Sequence, residues 1–386
     1  MDLVLASADF KVRNISYPSF PILVDEEGEV VAHALDFLVY HCLKRGSVQS
    51  EESWRTYGQD LYDFFSFCEA NSIDWRNIQH RQDETLLALY RDVSMKQFGV
   101  GASTINRRLR FLIKFYQYAY NHGWVSTLPY ELESVVVRKP KGFLAHTDTS
   151  GGMKARPDVM LKQPHTKIKL LNREQVNELL AAINNKTLKL MVKLGLLTGM
   201  RKSEILTFPL SCVINPQNTS ARSHIKVELN PNEMRIKGSK ARSVMIPVVL
   251  MSELWDYVIH ERSALQKGKN NPTDRLFVTQ DGDAYSLKSV TFNKQLSAVD
   301  VNFNVHPHML RHTFASHTLK DLEQRKSEGR LACNPLRIVQ ALLGHSSINT
   351  TEQYLHFLHE IEDDLTTQYQ LEIEGLYDGA AGVLSV

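Results

Sequence analysis

The chain has 386 residues, 43% hydrophobic and 23% charged, which fits a soluble globular protein of two or three domains and excludes a disordered or collagen-like one. No apolar stretch approaches bilayer length, and MDLVLASADF lacks the basic start and apolar run of a secretion signal, so a cytoplasmic protein with no membrane partner is expected. The net charge of +2 hides an uneven spread: from His359 onward there are seven acids and no Lys or Arg, leaving 45 basic against 36 acidic residues in the body. A basic body with an acidic tail is compatible with a polyanionic partner but does not require one. The four cysteines, Cys42, Cys68, Cys212 and Cys333, form no CxxC pair, which argues against a zinc-thiolate site or a disulfide framework.

Residues 1–35 alternate apolar and polar, and FPILVDEEGEVVAHAL carries an acidic-glycine turn at Glu27-Gly28, so a short strand pair is expected in this N-terminal extension. From 36 to 128 the apolar spacing turns helical. Tyr57, Leu61, Phe64, Phe65 and Cys68 share one face, and Ile105, Leu109, Leu112, Tyr116 and Ala119 another. The second helix also carries Arg107, Arg108, Arg110 and Lys114, which suit either a solvated face or a surface laid on a phosphate backbone. Residues 129–168 are rich in Pro, Gly, Lys and Arg and read as a basic linker. Order returns at LLNREQVNELLAAI, where Asn172 and Gln175 have capping-box spacing, and helices with one strand-rich patch follow to the end of a unit spanning 169–386. The fold class expected is mainly α with a small antiparallel β-sheet (α+β).

Four stretches of this second unit carry chemistry. LLTGMRKSEILTF sets Gly199 ahead of Arg201 and Glu204, where the carboxylate can brace its surroundings while the guanidinium faces a ligand; a plain surface ion pair has the same spacing. HIKVELNPNEMRIKGSKARSVMIPV reads as a small sheet with Lys237 and Lys240 at a hairpin tip, followed by Arg242. A lysine there can simply solubilise, or can donate a proton to a leaving oxygen.

In HPHMLRHTFASH, His308, Arg311 and His312 fall on one helical face. The histidine spacing is that of zinc ligands, but the glutamate of HExxH is missing and the arginine opposes a dication. An anion with protons to be moved fits better, phosphate first. In NPLRIVQALLGHSSINTTEQYLH, Asn334 and Pro335 start a helix that Gly344 stops, leaving His345 at its end. Tyr354 comes nine residues later; on one continuous helix it would face away from His345, so the break allows the two to converge.

Two arginines, a lysine, two histidines and a tyrosine, without an acidic cluster for Mg²⁺ or a glycine-rich phosphate loop, suit attack on a phosphodiester with no cofactor and no metal. The arginines would stabilise the transition-state charge, Lys and His would move protons, and the tyrosine would be the nucleophile.

In this order the motifs TGMRKSEI, KGSKARSVMIP, HMLRHTFASH and LLGHSSINTTEQY resemble the tyrosine recombinase (phage integrase) family over about 169–360, and residues 36–128 resemble its helical core-binding domain. The resemblance implies a C-shaped clamp around double-stranded DNA and a site-specific recombinase acting through a 3′-phosphotyrosyl link. It assigns Arg201 and Arg311 to the scissile phosphate, Lys237 as general acid with Lys240 the runner-up, His308 to proton transfer, His345 to the phosphate and Tyr354 to attack. Glu204 and His312 match supporting positions, and Arg107, Arg108, Arg110, Lys114, Lys240 and Arg242 are candidate DNA contacts.

The resemblance further implies a homo-tetramer on DNA, with a C-terminal segment (Ile361, Leu365, Tyr369 and Ile373 at helical spacing) exchanged between protomers, in a prokaryotic nucleoid. The N-terminal extension and spacer lean towards a mobile-element integrase or transposase. The segment TLKDLEQRKSEGRLAC exceeds the family's usual connection and reads as an added helix. A type IB topoisomerase has a similar residue set and stands as the alternative. A binding-only relative and a metallohydrolase built on His308 and His312 are weaker readings.

Overall fold

A computed structural model describes residues 1–46, 48, 50–81, 84–137, 152–162, 169–220, 223–288, 290–344 and 351. The chain divides into two compact units, Met1–Thr166 and Lys167–Val386.

In the first unit β1 (Asp2–Leu5) pairs antiparallel with β4 (Pro21–Val24), and β2 (Lys11–Val12) with β3 (Ile15–Ser16) forms a hairpin between them in sequence. The expected acidic turn is present, with the Gly28 N–H donating to the Asp25 carbonyl at 3.1 Å, but it closes only a single Val24–Val30 bridge. The partner of PILV is instead the N-terminal strand, because the chain after Val31 enters α1 (Ala32–Leu38) and leaves no second strand beyond the turn.

Three longer helices follow: α2 (Glu51–Ala70), then a small ribbon of β5 (Gln79–Arg81) and β6 (Glu84–Thr85), α3 (Leu86–Lys96) and α4 (Ala102–Asn121). Their apolar faces meet as the 3.6-residue spacing requires: Leu61, Phe64 and Cys68 of α2 and Ile105, Leu109, Leu112, Tyr116 and Ala119 of α4 are buried. The core is aromatic, with Phe115 edge-on to both Phe37 and Phe65, and each fully buried Phe contributes roughly 1.5–3 kcal/mol. A polar tip among these rings finds its partner in the backbone: the Tyr116 hydroxyl donates to the Trp75 carbonyl at 2.8 Å.

The stretch expected as a linker carries a sheet of its own. β7 (Leu132–Val137) and β8 (Gly152–Pro157) pair antiparallel from Leu132↔Pro157 to Val137↔Gly152, as the β-branched run Val135-Val136-Val137 favours. Beyond β8 the chain docks on the helices. Val159 is buried, and the Asn106 side chain clamps Leu161, donating to its carbonyl and accepting from its N–H, both at 2.9 Å.

The second unit opens with α5 (Arg173–Ala182), started by the capping box read from sequence: the Gln175 N–H donates to Asn172 at 2.8 Å and the Asn172 N–H to Gln175 at 3.0 Å. α6 (Lys186–Thr198) has Leu190, Met191, Val192, Leu194 and Leu196 all buried, so it runs through the middle of its unit. α7 (Lys202–Leu206) follows, then β9 (His224–Leu229) antiparallel to β10 (Arg242–Pro247), α8 (Val248–Tyr257), α9 (Ser263–Gln266) and α10 (Thr291–Ser297).

α11 (Pro307–Ser327) packs on α6, and α12 (Pro335–Leu343) docks on α11 through Ala315, Leu319, Leu336, Val339 and Leu343. The segment expected as an added helix instead prolongs α11 to Ser327; no breaker interrupts TLKDLEQRKS before Gly329, where φ reaches 72°. Among the described residues no helix is long and apolar enough to cross a membrane. The C-terminal segment with Ile361, Leu365, Tyr369 and Ile373 lies outside the described residues.

His41, just after α1, is 3% exposed and ringed by Phe37, Tyr57 and Phe111. Burial, with Lys114 and Arg45 adding repulsion, lowers its imidazole from 6.5 to about 4. The folded chain therefore holds it neutral while the unfolded chain takes up a proton near 6.5, so its contribution is complete above that pH and is lost as pH falls towards 4. Thermal melts from pH 7.5 down to 4.5 should fall more steeply for the wild type than for His41→Leu. Parallel curves would remove His41 as a cause of acid sensitivity.

Candidate active site

The site is built where two helices end. α6 stops at Gly199, which takes the left-handed conformation (φ 63°), and α12 stops the same way at Gly344 (φ 64°). Both stops are also places of close approach. A methyl on Gly199 would fall 2.4 Å from Phe314 Cδ1, and one on Gly344 2.7 Å from Arg242 Cδ. The sharp turn at Gly199 sends Arg201 to the head of α7, with Glu204 at the third helical position.

Glu204 is 0% exposed, which rules out the surface ion pair. Its carboxylate accepts from the Arg201 backbone N–H at 2.8 Å, from Arg201 Nη1 at 3.0 Å and from Arg242 Nη2 at 2.6 Å. One buried carboxylate thus carries two guanidiniums, and the triad keeps a net positive charge with the Arg201 side chain still 20% exposed.

Arg311, on α11, is only 1% exposed and joins the two helix ends: Nη1 donates to the Gly199 carbonyl at 2.6 Å and Nη2 to the Leu343 carbonyl at 2.7 Å. A guanidinium there satisfies carbonyls that a helix C-terminus leaves orphaned and sits at the negative pole of both helices. His308, one turn earlier, is more exposed and packs edge-on against His312, ring centroids 4.3 Å apart. Its imidazole is pushed below the usual histidine range, first by burial and then by Arg311, His306, Arg201 and Lys237. Residues far apart in sequence thus share one electrostatic neighbourhood, which favours the neutral form of His308.

Lys237 lies in the connection between β9 and β10, on a single 3-10 turn in which Gly238 takes φ 76° and the Ser239 N–H donates to the Ile236 carbonyl at 3.1 Å. It borders a cleft of about 440 Å³ with Arg201, Lys240, Arg242, Arg337 and Gln340. Arg337 and Gln340 are absent from the sequence reading. Their spacing with Gly344 along α12 puts them on one helical face and is the signal that would have found them.

One expectation is corrected. Arg242, expected on DNA, has a side chain only 6% exposed and is spent on Glu204 and on the Leu342 carbonyl, because it shares the inward-facing parity of Val244 and Ile246 along β10. In the first unit Arg107 and Arg108 form ion pairs with Asp60 and Asp63 of α2 and so brace two helices; the Arg107 side chain is still 46% exposed, and Arg110 and Lys114 also lie exposed on α4. His345 and Tyr354 lie outside the described residues.

A cleft walled by arginine and lysine, near the meeting of two helix ends, has the chemistry that suits a phosphate-like anion. The sequence matches the "Phage integrase family" over residues 169–360 and the "Phage integrase, N-terminal SAM-like domain" over residues 40–123. It is 26% identical over 310 residues to the tyrosine recombinase XerC of Roseiflexus sp. (strain RS-1), covering 78% of this chain and 82% of that one.

Among solved structures it resembles the XerH site-specific recombinase bound to palindromic difH substrate in a post-cleavage complex, with a TM-score of 0.52, 21% identity and 89% of each chain covered. It also resembles the Tn1549 transposon integrase in complex with a circular intermediate DNA, with a TM-score of 0.54, 15% identity and 89% of this chain and 99% of that one covered. The chain belongs to the phage integrase family, the tyrosine recombinases, enzymes that break and rejoin DNA.

Proposed function

We propose that this chain is a site-specific recombinase that cuts and rejoins DNA strands of a mobile element through a tyrosyl-phosphate intermediate, with Arg201, Lys237, His308, Arg311, His345 and Tyr354 as its catalytic set. The observation that carries the assignment of roles is the cleft itself: Arg201 and Lys237 border it together, and the Glu204 carboxylate that holds Arg201 and Arg242 is neutralised by those two guanidiniums.

In this reading the Tyr354 hydroxyl attacks the scissile phosphorus as the bond from phosphorus to the 5′-oxygen breaks. The tyrosine proton passes to neutral His308, and Lys237 protonates the departing 5′-oxygen. Arg201 and Arg311 hold the charge that grows on the non-bridging oxygens, and His345 donates a hydrogen bond to them. Because the bond energy is kept in the tyrosyl phosphate, a second 5′-hydroxyl reverses the step without a nucleotide cofactor. The positive wall of the cleft repels a divalent cation, which favours a phosphate alone.

On the first unit Arg110 and Lys114 are the surface offered to the DNA backbone; such contacts orient the duplex without reading its sequence. Four protomers act together, each lending its acidic C-terminal segment to a neighbour. Truncation after Gln370 should abolish tetramers on DNA as judged by native mass measurement; unchanged assembly would remove the exchange.

Incubated with nicked suicide duplexes from the ends of its own element, the protein should form a covalent adduct that survives EDTA and disappears in Tyr354→Phe. An adduct persisting in that variant would remove Tyr354 as nucleophile. Arg201→Ala should slow cleavage on the order of 100-fold or more with little change in binding, since its charge acts mainly on the transition state. Arg311→Ala should in addition lower the melting temperature, because two helix-end carbonyls lose their buried donor.

A further inference from the structure

Arg242 opens β10 and is the only described side chain that reaches both Glu204 and the end of α12. Its Nη2 donates to Glu204 Oε2 at 2.6 Å, its Nη1 donates to the Leu342 carbonyl, and its Cδ lies so near Gly344 that any side chain there would collide with it. Through Glu204 it shares a carboxylate with Arg201, whose Nη1 sits 3.0 Å from the other oxygen. Through Leu342 and Gly344 it holds the backbone immediately ahead of His345.

We infer that Arg242 is a positioning residue for strand cleavage, setting the Arg201 guanidinium by way of Glu204 and tying that carboxylate to the end of α12. The inference rests on the catalytic roles proposed above. The chemistry of the side chain explains why an arginine stands here. A guanidinium is a planar fork with donors at fixed angles, so it can hold a carboxylate on α7 and a carbonyl on α12 at once, whereas an ammonium offers one point of charge on a flexible stem.

Glu204, with no solvent contact, needs a cation on each side: Arg201 remains partly open to the cleft, and Arg242 supplies the inner one. The Leu342 carbonyl is among the last of α12, which no helical N–H can satisfy, so a cation there also suits the helix dipole. The two attachments share one rigid group. A shift of α12 therefore moves the carboxylate that seats Arg201, and the two sides of the cleft keep a fixed spacing.

A DNA contact and a positioning residue differ in what their loss does. A lost phosphate contact weakens binding and lowers the salt slope by about one. A lost positioning residue leaves binding alone and slows the chemical step, where a misplacement of about 1 Å costs on the order of 100-fold. The test compares wild type, Arg242→Lys, Glu204→Gln and the double variant for single-turnover cleavage of a suicide duplex, DNA affinity across a salt series, and thermal melting.

Arg242→Lys should keep its fold and bind DNA within about threefold of wild type, with an unchanged salt slope, yet cleave on the order of 100-fold more slowly. The double variant should be no slower than the slower single one, since both act on one network. Cleavage by Arg242→Lys at the wild-type rate, a loss confined to affinity with a shallower salt slope, a loss equal to the unfolded fraction, or independent effects in the double variant would each overturn the inference. A wild type that forms no Tyr354-dependent adduct would overturn the proposed function itself, which the Arg242 comparison alone cannot do.

Discussion

A carboxylate cut off from water organises the catalytic unit. Glu204 is 0% exposed and accepts hydrogen bonds from Arg201 and Arg242, so its charge is tolerated only because two guanidiniums close on it. Burying ions in this way does little for stability against a well-packed apolar alternative. What it achieves is geometry: Arg201 is tied at its backbone and at one Nη, which leaves a cation of fixed direction at the edge of the cleft. Preorganised charge of this kind needs no rearrangement when an anion arrives.

The helix ends supply the second constraint. α6 and α12 both finish on a left-handed glycine, and each would leave unsatisfied carbonyls in a buried place. Arg311 takes one carbonyl from each helix and Arg242 another from α12. So many cations can share a small volume because two negative helix poles and one carboxylate are aimed at them. The surplus of positive charge faces the cleft, where Arg201, Lys237, Lys240 and Arg337 line the wall. Burial first, and then the charges of Arg311, His306, Arg201 and Lys237, push the His308 imidazole below the usual histidine range and favour its neutral form.

What could be read from sequence was local. The capping box at Asn172 and Gln175, the helix start at Asn334-Pro335 and the stop at Gly344 depend on residues a few positions apart, and all three are present. The apolar faces of α2 and α4 were legible for the same reason. Arg242 was misread because its partners come from α7 and α12, distant in the chain, although its parity with Val244 and Ile246 marked an inward face. The ion pairs of Arg107 and Arg108 with Asp60 and Asp63 of α2 were likewise beyond reach of local spacing, since their partners lie more than forty positions away. The β7–β8 ribbon was hidden by the Lys, Pro and Gly content around it, and Arg337 by a reading of α12 that followed only its apolar side.

The central claim is a division of labour in the cleft: guanidiniums hold charge, and Lys237 delivers the proton. A duplex whose scissile 5′-oxygen is replaced by sulfur separates the two, because a thiolate leaves without being protonated. Single-turnover cleavage of that substrate by Lys237→Ala should return to near the wild-type rate, while on the oxygen substrate the same variant stays slower by about 100-fold or more. Arg201→Ala should remain slow on both. Equal impairment of Lys237→Ala on the two substrates would contradict the account.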